Sequence, residues 1–248
     1  MIFQSELRDA LWVNWALPPS ALAPLPEPLS LDVLGTGASE VGFLSLVLFQ
    51  QRGLRLASLP LLRLSFPQCN LRLLARDGER VASVYFVREL VPAWVVPIAR
   101  LVARQPASAA IFRVEAEPGG EQRWSFSAGQ RLALVARPGA PPPAAPLPGS
   151  WPETVAFFRE RPRGYVGSVR RLRRLAAAHP GAEAIPMRVE VLESAWLAAR
   201  FPAIDPDLWQ RPHSAFLIPS ILLSVAIEAS LEPARSEPLA APSRPAVT

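Results

Sequence analysis

The sequence predicts a β-rich α+β fold, and three observations carry that prediction. The chain has 248 residues, 50% of them hydrophobic, enough to bury one substantial core. Its 29 prolines are about twice the usual share, which works against long uninterrupted helices. Between turn residues lie many short segments in which apolar and polar residues alternate, the period of a half-buried strand. One domain is expected over residues 1–231, with a Pro-rich connection at 138–150 inside it. The Pro, Ala and Ser-rich stretch 232–248 is expected to be a disordered tail.

Taken in order, residues 29–33 and 40–49 read as two strands around the Gly35-Thr36-Gly37 turn. Residues 66–76 and 79–88 flank Asp77-Gly78, a strong signal for a two-residue hairpin. Residues 97–105 read as a short helix with Pro97 in its first turn and Pro106 ending it. Three consecutive strands are expected at 111–116, 122–127 and 130–137. The Pro-rich run 139–149 then wraps over the sheet. Ser150 and Glu153 form a capping box that starts a helix running to about Arg159. A second helix is expected over 190–200, ended by Pro202. The longest apolar stretch, 215–227, holds Pro219, is too short to cross a membrane, and reads as a buried strand.

Composition removes several chemistries. The net charge is +5 and the pI about 10.7, yet all 26 basic residues are arginine and no lysine occurs. Biased arginine usage raises the pI without any ligand, so nucleic acid is not the expected partner. Without an amine that can be deprotonated, no side chain can form a Schiff base, because guanidinium stays protonated and poorly nucleophilic. Lysine-dependent decarboxylation is therefore excluded. Cys69 is the single cysteine, which excludes an internal disulfide and fits a reducing compartment. Glu6 and Asp9 stand where a signal peptide would be basic, so a cytoplasmic protein is expected. The two histidines, His179 and His213, have no metal-binding spacing. Neither a metal nor a cofactor is expected.

The stretch FPQCNLRLL, 66–74, sets a polar row against an apolar one. With a two-residue turn at Asp77-Gly78, Arg76 pairs with Glu79, which places Arg72 opposite Ser83, Asn70 opposite Tyr85 and Gln68 opposite Val87. Cys69, Leu71, Leu73, Ala82, Val84 and Phe86 then share the core face, and Cys69 reads as a structural thiol. The polar face is either wetted surface or cavity wall, and periodicity alone leaves both open. As a cavity wall it makes Gln68, Asn70, Arg72 and Tyr85 ligand-binding candidates. Arg104, four residues after Arg100 on the short helix, could border the same pocket. Glu89 and His213 are the candidate proton-transfer groups, His213 because imidazole titrates near neutral pH. The run 161–175 carries Arg170, Arg171, Arg173 and Arg174. As a helix it would put Val169, Leu172, Leu175 and Ala176 on one face, whereas a strand would scatter arginine on both. It reads either as a solvated charged face or as a surface for nucleic acid or an acidic partner.

Four segments carry a family resemblance: LWVNWALPPSAL (11–22), LSLDVLGTGASEVGFLSLVLF (29–49), FPQCNLRLLAR (66–76) and SVYFV (83–87), with a weaker echo in RPHSAFLIP (211–219). Their order resembles the uncharacterised YqjF-like family, a branch of the acetoacetate decarboxylase-like superfamily. The resemblance implies a curved antiparallel sheet closing toward a barrel, with the pocket inside and a few short helices around it. It also implies that Asn70 and Arg72 line that pocket. Gln68 departs from the Glu usual at its position, and Arg88-Glu89-Leu90 replaces the usual Ser-Leu-Asp. The decarboxylases' lysine pair falls loosely on Gln105-Pro106-Ala107-Ser108, where no imine can form. The function expected is binding of a small anionic ligand, a carboxylate, with or without lyase, isomerase or hydrolase chemistry. A homo-oligomer is compatible with this, and no membrane contact is expected.

Overall fold

The computed structural model describes residues 1–101, 105–117, 119–142, 147, 149–168, 171–178 and 182–231. The strands are β1 (Ile2–Leu17), β2 (Ser30–Leu31), β3 (Gly42–Leu56), β4 (Leu59–Arg76), β5 (Ala82–Val91), β6 (Ser108–Ala109), β7 (Ile111–Ala116), β8 (Gln122–Ala128), β9 (Gln130–Pro138), β10 (Arg163–Val166), β11 (Leu172–Ala178), β12 (Ile185–Glu193) and β13 (Ser214–Leu231). The helices are α1 (Val95–Leu101), α2 (Trp151–Arg159), α3 (Ala195–Ala198) and α4 (Pro206–Trp209). None is long and apolar enough to cross a membrane among the described residues. The expected tail, 232–248, lies outside the described residues.

Seven strands pair in the order β1-β3-β4-β5-β10-β11-β13, and β13 pairs back onto β1, which closes a barrel. All these pairings are antiparallel except β5 with β10. The first residues of β12 pair with β13, and β12, β9, β8 and β7 form a second sheet. That sheet packs on the outside of the barrel. One apolar cluster joins Leu11 and Val13 of β1, Leu46 of β3 and Cys69, Leu71 and Leu73 of β4 to Trp124, Phe126 and Leu134 of the second sheet and to Trp196 and Trp209. Burying one leucine contributes about 1.5–3 kcal/mol, so this row of β4 goes to the two-sheet interface. The alternate row, Gln68, Asn70 and Arg72, must then face into the barrel.

Closure comes with irregularities that reverse the alternation. Asp9 takes φ 51, and the β1–β3 register shifts between Arg8 and Leu11. Pro219, which has no N–H to donate, stands across from it in a break of the β1–β13 ladder. Leu7 and Trp12, five residues apart, thus both sit in the inner cluster, as do Ile218 and Ile221.

The hairpin turn differs from expectation. Asp77 Oδ1 accepts from the backbone N–H of Glu79 (3.0 Å) and Val81 (2.9 Å), and its Oδ2 accepts from Arg163 (2.7 Å) and the Tyr165 hydroxyl (2.9 Å). An aspartate held this way forms a wider turn, and Arg80, not Gly78, takes the left-handed conformation, φ 62. Arg76 therefore pairs with Ala82, Arg72 with Phe86 and Asn70 with Glu89, with a bulge at Val87. The register expected from a two-residue turn is corrected accordingly.

One other expectation is also corrected. Residues 190–193 continue strand β12, paired with β9, because Met187, Val189 and Val191 alternate at strand period, and only Ala195–Ala198 is helical. The arginine run, whose pattern left helix and strand open, forms β10 and β11, with Leu172 and Leu175 buried. Arg170 lies outside the described residues. β7, β8, β9 and the capping box of α2 match their expected positions, and β1 adds a strand that the reading of the N-terminus did not assign.

Helix α2 lies at one end of the barrel, where Val155 and Phe158 join Trp12, Phe43 and Phe216 in the inner cluster, with Leu147 of the Pro-rich connection beside them. Its last-turn carbonyls all find donors. Ala156 O accepts from Glu160 N (2.7 Å), Phe157 O from Arg161 Nε (2.8 Å), Phe158 O from Arg72 Nη2 (3.1 Å) and Arg159 O from Arg161 N (2.8 Å). Arg161 in turn pairs with Asp32 at 2.5 Å, both side chains 2% exposed, and Asp32 also holds Arg76 at 2.8 Å. Removing one partner of a buried pair strands the other charge, at a cost of about 3–5 kcal/mol. Asp32→Asn is thus expected to lower unfolding free energy by that amount in urea titrations. A loss below about 1 kcal/mol would show that this clamp does not hold α2 to the barrel.

Candidate functional site

Leu7, Val47, Asn70, Phe86, Gly164, Leu175 and Ile221 border a single cavity of about 200 Å³, one residue from each of the seven barrel strands, so the cavity is the barrel interior. A cavity of roughly 150 Å³ accepts benzene, which sets the scale of a fitting molecule at about ten non-hydrogen atoms. Most of the wall is apolar. Gly164 is required where it stands, since a Cβ there would come within 2.7 Å of the Phe86 ring.

Of the residues singled out in the sequence, Gln68, Asn70, Arg72 and Glu89 all border this cavity. Gln68 Nε2 donates to Asn70 Oδ1 at 2.8 Å, which orients both amides. Arg72, 9% exposed, uses one Nη2 donor on Phe158 O and lies with Cζ 5.7 Å from the Trp12 ring centroid. Its Nε is buried without a partner. No carboxylate pairs with it among the described residues, and the neighbouring charge that acts on it is Arg161, another cation. Burial, with Arg161 second, pushes its guanidinium down to about 9, which leaves it charged at neutral pH.

Glu89, 5% exposed, lies across from Asn70 on β5. The Val87 bulge puts it on the same inner face as Phe86, two positions that strict alternation would separate. Its Oε2 has no partner, and burial alone pushes its carboxyl up to about 7. Asn70 and Arg72 are about 7 Å apart along β4, so the cavity carries a cationic anchor and a titrating carboxyl roughly one small molecule apart.

The structure does not bring the other candidates here. The corrected register turns Tyr85 to the outer face, where its hydroxyl donates to Gly167 O at 2.7 Å beside Leu29, Tyr165 and Leu172. His213 does not border the cavity. Its N–H donates to Asn14 O (2.7 Å) and its ring meets the edges of Phe43 and Phe158. Arg104 and His179 lie outside the described residues. Cys69 is fully buried on the outer face, and burial pushes its thiol up, consistent with an inert role. Phe86, Trp12, Arg159 and Arg161 border the cavity without having been singled out for it. Trp12 and Arg161 come from distant parts of the chain and meet the polar row only through closure. Gln105 also borders the cavity, so the place loosely matched to a lysine holds an amide. Among the described residues no group of acids, histidines and cysteines could hold a metal.

A model of the family DUF2071, described as an uncharacterized conserved protein, matches residues 4–218. No curated protein matches the chain. Among solved structures, an acetoacetate decarboxylase from Legionella pneumophila superposes with a TM-score of 0.59 at 12% identity, over 93% of this chain and 88% of that one. An acetoacetate decarboxylase-like enzyme from Sphingomonas wittichii RW1 gives 0.56 at 14% identity, over 93% of each chain. The enduracididine biosynthesis enzyme MppR complexed with pyruvate gives 0.54 at 15% identity, over 91% and 89%. At these identities the likeness shows a shared fold.

The raised Glu89 carboxyl makes a stability prediction. The unfolded chain releases this proton near pH 4.5 and the folded chain near 7. The folded state therefore binds the extra proton between those values, and stability falls as pH rises through that window, by roughly 3 kcal/mol. Melting curves from about pH 4.5 to 8 should show this fall in the wild type and a flatter profile in Glu89→Gln. Parallel profiles would place Glu89 in contact with water.

Proposed function

The chain belongs to the DUF2071 family, and from that premise we propose that its barrel binds a small organic anion, with a carboxylate on Arg72 and an apolar body against Trp12, Phe49 and Phe86. One observation carries this reading: Arg72 is a buried cation with an unused donor, a like-charged neighbour and, among the described residues, no acidic partner. Holding such a charge away from water costs several kcal/mol, and a bound carboxylate supplies the missing counter-charge through two parallel N–H···O bonds. The pyruvate complex of the structurally similar MppR supports the class of ligand.

A second reading rests on Glu89. A carboxyl titrating near 7 beside such an anchor is matched to moving a proton at neutral pH. In this reading Glu89 takes a proton from the carbon next to a ligand carbonyl and returns it, isomerase or lyase chemistry without an imine. The lack of lysine removes the covalent route while leaving this one open. A single buried thiol fits a reducing compartment, the cytoplasm.

Thermal-shift measurements with pyruvate and larger short-chain carboxylates should show stabilisation of the wild type and none of Arg72→Met. Arg72→Met should itself melt no lower than the wild type without ligand, because it removes an uncompensated charge. Equal protection of both proteins would remove Arg72 from the site. Proton NMR in heavy water should show exchange of the hydrogens next to the carbonyl of a bound oxo acid, lost in Glu89→Gln. Binding without exchange would leave a non-catalytic binding protein.

A further inference from the structure

A second basic feature lies beside the barrel and plays no part in the cavity. Arg88 of β5, Arg100 of α1, Arg171 from the turn before β11 and Arg173 of β11 border one surface cleft of about 600 Å³, with Gln105 and Ser108. Among the described residues no acidic side chain borders it. Arg88, Arg100 and Arg171 are exposed, and none is ion-paired among the described residues. Arginines nearby behave differently, since Arg163 of β10 is held by Asp77 and Glu79, and Arg174 of β11 by Glu228. The arginines come from three separate parts of the chain, and pairing of β5 with β10 and of β10 with β11 gathers them.

Arg88, Arg100 and Arg171, gathered in one concavity without an acid among the described residues, repel one another, and an anion of charge near −2 offsets that repulsion. Guanidinium forks match phosphate oxygens two donors at a time, and the Ser108 hydroxyl adds another donor. Among the described residues no aromatic ring borders the cleft to stack a base, which speaks against single-stranded nucleic acid. Gln105 borders both the cleft and the barrel cavity, so the two spaces meet at one side chain.

We propose that this cleft is an anion site for the phosphate or diphosphate group of a small organic ligand, whose organic part passes Gln105 into the barrel. The first half of this assignment stands independently of the cavity reading, and the second half rests on it. The ligand class that satisfies both is an organic phosphate carrying a compact apolar or carboxylate-bearing body.

Titration calorimetry with inorganic pyrophosphate tests the cleft. The wild type and Arg72→Gln should bind equally, and the double variant Arg88→Gln/Arg171→Gln should bind about a hundredfold more weakly, since each lost charged contact costs about tenfold. Both substituted side chains are exposed, and an unchanged melting temperature confirms folding. Failure of pyrophosphate to bind the wild type, or equal binding by the double variant, overturns the site. A single-stranded oligonucleotide that binds more tightly than pyrophosphate overturns the small-molecule assignment. Phenyl phosphate tests the passage. It should bind the wild type about tenfold more tightly than inorganic phosphate, roughly the value of burying two methylenes, and lose that advantage in Gln105→Trp. Equal binding of the two phosphates overturns the link to the cavity while leaving the cleft. If carboxylates fail to protect the wild type while pyrophosphate still binds, the cavity reading alone fails.

Discussion

Pairing β13 back onto β1 is the constraint from which the rest of this structure follows. A closed sheet has an inside, and here part of its outside is covered by a second sheet, so from Phe66 to Arg76 neither face of β4 is free to meet bulk water. The apolar row goes where a second layer of leucine and tryptophan waits for it. The polar row is left to face inward, where it meets a helix end and a cavity instead of solvent. A hydrophilic strand face that would be ordinary on an open sheet becomes, by closure alone, a set of oriented donors in a confined space.

Small breaks in regularity decide which side chains enter that space. Strand alternation fixes faces only while the ladder is unbroken, and one extra residue sends every later side chain to the opposite side. The bulge at Val87 keeps Phe86 and Glu89 together on the inner face. The irregularity at Asp9 and Pro219 does the same for Leu7 and Trp12 and for Ile218 and Ile221. The chemistry of the cavity thus depends on turns and bulges that bury little surface themselves. Asp77 is the clearest case. Its carboxylate, shared between two backbone N–H groups, Arg163 and Tyr165, widens the hairpin turn and so sets the register of everything above it.

Charge at the closed end separates structure from function. Arg161 and Arg72 both cap the last turn of α2, favourable positions for cations at a helix C-terminus. Asp32 neutralises Arg161, and among the described residues nothing comparable neutralises Arg72. A protein selected for stability alone has no reason to keep that asymmetry, whereas one that holds an anion does. The shared fold with acetoacetate decarboxylase-like enzymes does not by itself bring a reaction here, since fold constrains where a site sits and leaves its reaction to the residues placed there.

Much of this protein was readable from its residues because local rules act locally. The proline count and strand periods give the β-rich class, Ser150 and Glu153 start α2, and the run of three strands from 111 to 137 has its turns in place. The absence of lysine excludes an imine on any side chain, whatever the fold. Gln68, Asn70 and Arg72 stand out as one row because a period of two needs no tertiary information. Which way that row faces, that Tyr85 leaves it while Phe86 and Glu89 join it, and that residues 190–193 extend a strand were decided only in three dimensions. They depend on partners far along the chain: Asp77 with Tyr165, β12 with β9, β1 with β13. Side-chain pattern sets which residues share a face. Closure, turn geometry and long-range pairing set what that face meets.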